Sequence, residues 1–313
     1  LRNKGYSAIN IGGLAAGMAV TILIAMWIVD EISFNRSFDN YDRIVHVMVH
    51  NGEGTYPSNP LPLAQELRDN FSTEFKRVAL CNWPWRLSVQ SGENKFLEEG
   101  TFMEPEGAEI FSFDMVYGSR KALTEPNTLV ISNSLSKKLF GDKDPIGEII
   151  RVKNLIDVRV GGVYEDFPAN SDFNKINLIG SWEFLTSWMT WMKDERDRWD
   201  NNSYKTYVEL NDGVSFEEAS AKIKDVKKKH LDEERLKNNP ELFVQPMSNW
   251  HLYSKFQNRN LVTSEQLQFV WLYGIIGGFV LLLACINFMN LSTARSERRA
   301  KEVGIRKTMG SLR

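Results

Sequence analysis

The chain has 313 residues, 42% of them hydrophobic and 25% charged, with a formal net charge of −2. That length suits about two soluble domains at roughly 150 residues each, and the mean hydropathy of −0.33 is that of an ordinary soluble protein. The balance argues against a nucleic-acid binder, and two cysteines exclude a disulfide framework.

The average hides two apolar stretches. The first runs from Ala8 to Val29, where only Asn10 and Thr21 have polar side chains. The second runs from Phe269 to Leu291, where Asn287 and Asn290 are the strongly polar residues. Neither contains a charge. A bilayer core of about 30 Å needs about 20 helical residues, and both stretches meet that. The bland reading of the first is a signal peptide. Its apolar run is too long, and no small-residue cleavage site follows before Asp30 and Glu31. The bland reading of the second is a buried core helix, which its length disfavours.

Charge orients the two spans. Arg2 and Lys4 precede the first. Arg295, Arg298, Arg299, Lys301, Arg306, Lys307 and Arg313 follow the second, against Glu297 and Glu302. Basic outer flanks place both ends in the cytoplasm. The segment between holds 29 basic and 38 acidic residues. The expected division is a cytoplasmic flank and span over residues 1–29, an extracytoplasmic domain over 30–268, a second span over 269–291, and a cytoplasmic segment over 292–313. Cys81 is alone in the outer domain and Cys285 lies in the second span, so no disulfide forms within that domain. The chain opens without Met and stops just past a basic stretch, as expected of part of a longer protein.

Strand-like and helix-like runs alternate in the outer segment. Arg43 to His50 is β-branched and reads as a strand. A helical run from Leu61 to Phe71 and a strand from Arg77 to Cys81 follow. Asn133 to Phe140 has helical spacing, with Ser132 or Asn133 as N-cap and Gly141 as C-cap. Strands are expected over Glu148–Val152, Val158–Tyr164 and Tyr204–Leu210. An amphipathic helix is expected from Ser215 to about Lys237, with Phe216, Ala219, Ile223 and Val226 on its apolar face. It reads better as a helix laid on a sheet than as a coiled-coil arm, because its seam is short. The pattern is α+β.

Familiar catalytic patterns are missing. There is no phosphate loop, H-E-x-x-H or C-x-x-C. His46 and His50 share a strand face, but without a third ligand they read as an exposed face rather than a metal site. Ser132, Ser134 and Ser136 lie outside any nucleophile elbow. The aromatic stretch Trp182–Trp199 reads as packing rather than a ligand surface. No catalytic residue, metal or cofactor is expected. Gly13 and Gly17, and Gly274 and Gly278, are spaced for close helix packing in lipid, although glycine is common enough in spans for chance to produce such pairs.

The residues after the second span suggest a helix leaving the membrane, then turns at Gly304 and near Gly310. A lipid-binding basic helix explains Arg295–Lys301. It leaves the apolar and glycine residues of Glu302-Val-Gly-Ile-Arg-Lys-Thr-Met-Gly-Ser311 unexplained. That run resembles the signature of MacB/FtsX-type ABC transporter permeases, and Asn287–Ser296 is similar to the end of their second span. Leu1–Leu14, Asp30–Phe34 and Asp42–Ile44 resemble the family's first span and exit. Glu125–Ser132, Leu139–Gly147 and Val163–Ser171 resemble its periplasmic core domain. Asn35 departs from the acidic residue common there.

The resemblance implies a bacterial inner-membrane, multi-pass permease. Its outer domain would have porter-like βαβ units, from about Asp42–Leu80 and Tyr204–His230, plus an inserted second subdomain. It implies a separate cytoplasmic ABC ATPase whose motion is transmitted to the periplasm, contacted through Glu302, Val303, Gly304, Ile305, Arg306, Lys307, Met309 and Gly310. Apolar Val303, Ile305 and Met309 would fill a pocket, and Arg306 and Lys307 would meet an acidic rim. A permease dimer or pseudo-dimer, a periplasmic adaptor or outer-membrane partner, and membrane lipid complete the implied partners. The alternative is a two-span sensor with an extracytoplasmic ligand-binding domain. A sensor would continue past its second span as a long heptad helix, whereas Gly304 and Gly310 are expected to interrupt it here. A membrane-anchored enzyme lacks a catalytic constellation.

Overall fold

The computed structural model describes residues 4–310. Expectations resting on residues 1–3 and 311–313 lie outside them. Two compact units emerge, one built from the terminal helices and one from Phe34–Thr263.

The terminal unit pairs α1 (Lys4–Ile32) with α8 (Glu265–Thr308). Both are long and apolar enough to cross a membrane. α8 begins at Ser264, whose hydroxyl accepts from the Leu267 amide at 3.1 Å. It then runs unbroken for 44 residues, about 66 Å at 1.5 Å per residue. The turn expected at Gly304 is absent. A helical glycine costs about 1 kcal/mol, too little to stop a helix flanked by Lys, Glu and Arg. The helix ends only before Gly310, which has φ +76°.

The other unit is α+β. Its elements are β1 (Ile44–Asn51), β2 (Gly54–Tyr56), α2 (Leu63–Asn70), β3 (Phe75–Cys81), β4 (Trp85–Ser91), β5 (Asn94–Met103) and α3 (Pro105–Phe111). Then come β6 (Met115–Gly118), β7 (Thr128–Ser132), α4 (Asn133–Phe140), β8 (Ile149–Val152), β9 (Ile156–Tyr164), β10 (Ile176–Ser181) and α5 (Trp182–Trp188). The last are β11 (Lys205–Leu210), α6 (Phe216–Ile223), α7 (Glu233–Leu236), β12 (Glu241–Pro246) and the short pair β13 (Phe256–Gln257) and β14 (Asn260–Leu261). α4 forms as its caps foretell: Ser132 accepts from the Leu135 amide, and Gly141 takes φ +64°.

Ten strands lie in the order β10-β7-β9-β8-β4-β5-β3-β11-β1-β12, with β2 beside β1 and β6 beside β9. The end β3-β11-β1-β12 is made by β1–α2–β3 and β11–α6–β12, a split βαβ arrangement. β4 to β10 are inserted between these halves. The ladder between β3 and β5 is short, with Cys81 paired to Met103, and the inserted part is tied to the porter-like part mainly by α3, which packs on β3 and β11.

Alternation sorts the side chains of the porter-like part. Val45, Val47, Val49, Val208, Leu210 and Val244 point to the face where Leu63, Leu67 and Ile223 of α2 and α6 pack. Ile44, Ala79, Cys81 and Tyr207 point to the other face, under Ala108 and Phe111 of α3. The single helix expected from Ser215 is broken: after α6 come a 3-10 turn over Lys227–His230 and the short α7. The apolar stripe ends at Val226, and beyond it nothing holds a helix on the sheet.

Candidate functional site

Register brings scattered residues into one row. His46 of β1 lies opposite Tyr207 of β11 on one side and Gln245 of β12 on the other. Lys205 of β11 lies opposite Cys81 of β3. All are on the α3 face of the sheet, and they line a cavity of about 290 Å³. Trp250, at the end of the short 3-10 turn that follows β12, stacks on the His46 ring at 4.7 Å between centroids. Its indole N–H donates to the Gln245 carbonyl at 3.0 Å. Asp172 closes another side. Its carboxylate accepts from Asn35 Nδ2 at 2.7 Å, and its amide donates to Asn35 Oδ1 at 2.9 Å.

That pairing explains the departure at Asn35. The residue has φ +63°, a region Asn tolerates better than most side chains, and it must both donate and accept. An acidic side chain there would face Asp172 as a second anion.

The electrostatics follow from burial. His46 Nε2 lies 2.7 Å from Gln245 Oε1. The Gln245 amide nitrogen donates to the Tyr253 carbonyl at 2.8 Å, so Oε1 accepts and the His46 proton sits on Nε2. Burial lowers the His46 pKa to about 4, leaving the ring neutral at pH 7. Burial pushes the Cys81 thiol up to about 11 and pulls the Lys205 ammonium below its ordinary range. Lys205 Nζ sits 4.3 Å from the centre of the Trp83 ring. The cavity therefore presents one cation, one carboxylate and neutral polar groups.

His46 and His50 were expected on an exposed face. They share a face, but it is covered. His50 stacks on Phe243 at 4.5 Å and bonds Thr55 Oγ1 at 2.7 Å, because the β2 hairpin folds over it. No cluster of three metal-ligating side chains exists among the described residues. In the aromatic stretch, Trp182 packs on Tyr204, Trp188 on Trp85 and Trp199 on His230, while Trp191 is exposed.

The span glycines differ among themselves. A Cβ on Gly17 would lie 3.0 Å from the Ala284 Cβ, and one on Gly13 3.6 Å from Asn287 Nδ2. On α8 the close approach belongs to Gly277, 3.1 Å from Ile24, rather than to Gly278, which has nothing within 4 Å; Gly274 is 3.8 Å from Ile28. Gly278 is therefore not a packing residue of this helix pair, and the one-residue offset follows from which face of α8 meets α1.

Residues 302–310 are all exposed at the end of α8. As a helix they do not gather the three apolar side chains on one face. At 100° per residue Ile305 and Met309 share a ridge, with Glu302 beside them, while Val303 lies nearly opposite with Lys307. Sequence reading missed the cavity altogether. The visible signal was polar residues, His46, Lys205 and Gln245, at alternate positions of otherwise apolar strands.

The comparisons bear on the first span and most of the outer domain. A family profile described as "MacB-like periplasmic core domain" matches residues 7–226. No curated protein sequence matches. Among solved structures, a domain of a permease protein from Porphyromonas gingivalis is 23% identical, covering 67% of this chain and 92% of its own, with a TM-score of 0.54. The periplasmic region of MacB from Actinobacillus actinomycetemcomitans is 14% identical over 69% of this chain and 92% of its own, with a TM-score of 0.49. The extracellular domain of the noncanonic ABC-type transporter YknZ from Gram-positive bacteria is 14% identical over 63% and 99%, with a TM-score of 0.46. The profile spans well over half the residues, and the first of these structures shares the fold, so the chain belongs to the MacB-like periplasmic core domain family, as its motifs implied.

Proposed function

We propose that this chain is the permease subunit of an ABC transporter, and that it transmits the motion of a separate cytoplasmic ATPase to a periplasmic domain. Family membership supports the permease role. The observation that carries the transmission reading is α8 itself. Its 44 residues pass from the apolar stretch to the signature segment without a break, and a continuous helix carries displacement along its axis where a turn would absorb it. The basic residues past the second stretch and the acidic Asp30 and Glu31 past the first orient the ends to the cytoplasm and the domain to the periplasm. ATP hydrolysis belongs to the partner, and the permease works as a dimer or pseudo-dimer in the inner membrane.

The course of α8 through Gly304 removes that half of the mark distinguishing permease from sensor, while the helix does end before Gly310. The family match takes its place. The ridge of Ile305 and Met309, both exposed, is the apolar surface for the ATPase, with Arg306 beside it.

The test is reconstitution of the full chain with its ATPase. Ile305→Asp and Arg306→Glu should each reduce ATPase stimulation and co-purification about tenfold, the scale of a lost interfacial anchor, with the outer domain's circular dichroism unchanged. Stimulation and co-purification at wild-type level in both variants would sink the assignment.

A further inference from the structure

The cavity beside β11 contains a cation and a hydroxyl that the protein leaves unused. Lys205 Nζ makes no hydrogen bond or ion pair among the described residues; its neighbour is the Trp83 ring. Tyr207 is only 5% exposed, lines the same cavity, and has no hydrogen-bond partner for its hydroxyl among the described residues. Asp172 lines the same cavity from another side, with Oδ2 held by Asn35, leaving Oδ1 available. Lys205 and Asp172 do not pair with each other, so they stand farther apart than the about 4 Å of an ion pair.

The wide groove past α2 offers a contrast. One of its cations, Arg68, is held by Glu104 through contacts of 2.7 and 3.2 Å, while Lys193 and Arg196 also line it. That groove is wide and open, whereas Lys205 stands in a small cavity with one carboxylate.

We propose that this cavity binds a small zwitterion with an apolar side group, of the α-amino-acid class. The carboxylate meets the Lys205 ammonium and the Tyr207 hydroxyl. The ammonium meets Asp172. The apolar group lies against Met48 and Phe173, which line the same space. The balance of charge selects the class. A simple anion would satisfy Lys205 and face Asp172, and a simple cation would do the reverse. His46 and Cys81 are neutral at pH 7 and leave that balance undisturbed. The volume, about 290 Å³, is at the small end of ligand cavities and suits one residue-sized molecule. The site is independent of the signature segment on α8.

The experiment uses the full chain in detergent and three probes by calorimetry and thermal shift: L-phenylalanine, 2-phenylethylamine and 3-phenylpropanoate, the latter two each lacking one charge. L-leucine serves as a smaller second amino acid. At least one amino acid should bind saturably and raise the melting temperature, with each one-charge analogue at least about tenfold weaker. Lys205→Met and Asp172→Asn should each cost about tenfold in affinity. Asp172→Asn keeps the hydrogen bonds to Asn35, so it reads the charge even where Lys205→Met folds poorly. No binding by either amino acid at millimolar concentration, equal binding by a one-charge analogue, or full affinity in the folded variants would each overturn the proposal.

Discussion

Glu209 and Arg77 lie directly opposite each other on β11 and β3, and the carboxylate, with no solvent exposure, accepts from the guanidinium. Lys76 approaches the same carboxylate at 2.9 Å and Arg43 at 3.2 Å. A buried ion pair returns little relative to a well-packed apolar pair, but removing one member strands the others. Glu209→Ala should therefore destabilise the domain by about 3–5 kcal/mol. Arg43, Lys76 and Arg77 are 30%, 41% and 32% exposed and can each turn partly toward water, which puts the loss at the lower end of that range. Replacing Glu209 and Arg77 together with leucine and methionine should recover much of the loss. Denaturant midpoints of the single and double variants decide it, and a single variant as stable as wild type would contradict the account.

The neutral His46 makes stability depend on pH. Above the ordinary imidazole value of 6.5 both folded and unfolded chains carry it uncharged. As pH falls toward 4, the unfolded chain takes up a proton that the folded one refuses, because burial holds the native value near about 4. Stability should fall across that window. The ceiling is about 3 kcal/mol, reduced by whatever water reaches the ring from the cavity. His46→Phe removes the titration, so its stability relative to wild type should improve as pH is lowered from about 7 to about 4.5. A constant difference between the two proteins across that range would refute the buried, neutral state.

The two helices of the terminal unit supply a steric test. Gly17 faces Ala284 so closely that even a methyl group would crowd it, at 3.0 Å between the two Cβ positions, while Gly278 faces open space within this pair. Gly17→Ile should push α1 from α8 and cost about 1–3 kcal/mol, as overpacking does. Gly278→Ile should leave the pair intact. The readout is the melting temperature of the detergent-purified chain, and equal effects at the two positions would show that the helices meet on a different face.

Local chemistry was legible where one segment decides its own structure. The α4 caps at Ser132 and Gly141, the alternation of Arg43–His50 and the two apolar stretches needed no distant partner. The β4–β5 hairpin was missed because Asn94–Glu99 mixes charge with Phe96 and Leu97, although Gly92, at φ +57° in the turn, marked the place. The α6 region was overextended because a short apolar seam was read past Val226. The cavity depends on strand register: Cys81, Lys205 and Gln245 are scattered through the sequence, and no periodicity shows that they share a wall. Asn35 was seen as a departure, but its reason required Asp172, which lies 137 positions away.

Gly304 separates the role of α8 as a rod from the role of its surface. It sits inside the helix, exposed, with no atom within 4 Å of an added Cβ. In the chain by itself Gly304→Ala should be tolerated and should firm the helix by about 1 kcal/mol. Gly304→Pro removes an amide donor and clashes with the preceding turn, breaking or kinking the helix at about 3 kcal/mol. If α8 transmits displacement, proline should abolish ATPase stimulation even where the ATPase still co-purifies, because contact would remain and stiffness would not. If instead the glycine is there to let the ATPase approach closely, alanine should already impair co-purification. Stimulation surviving Gly304→Pro would show that the continuous helix is not what carries the motion.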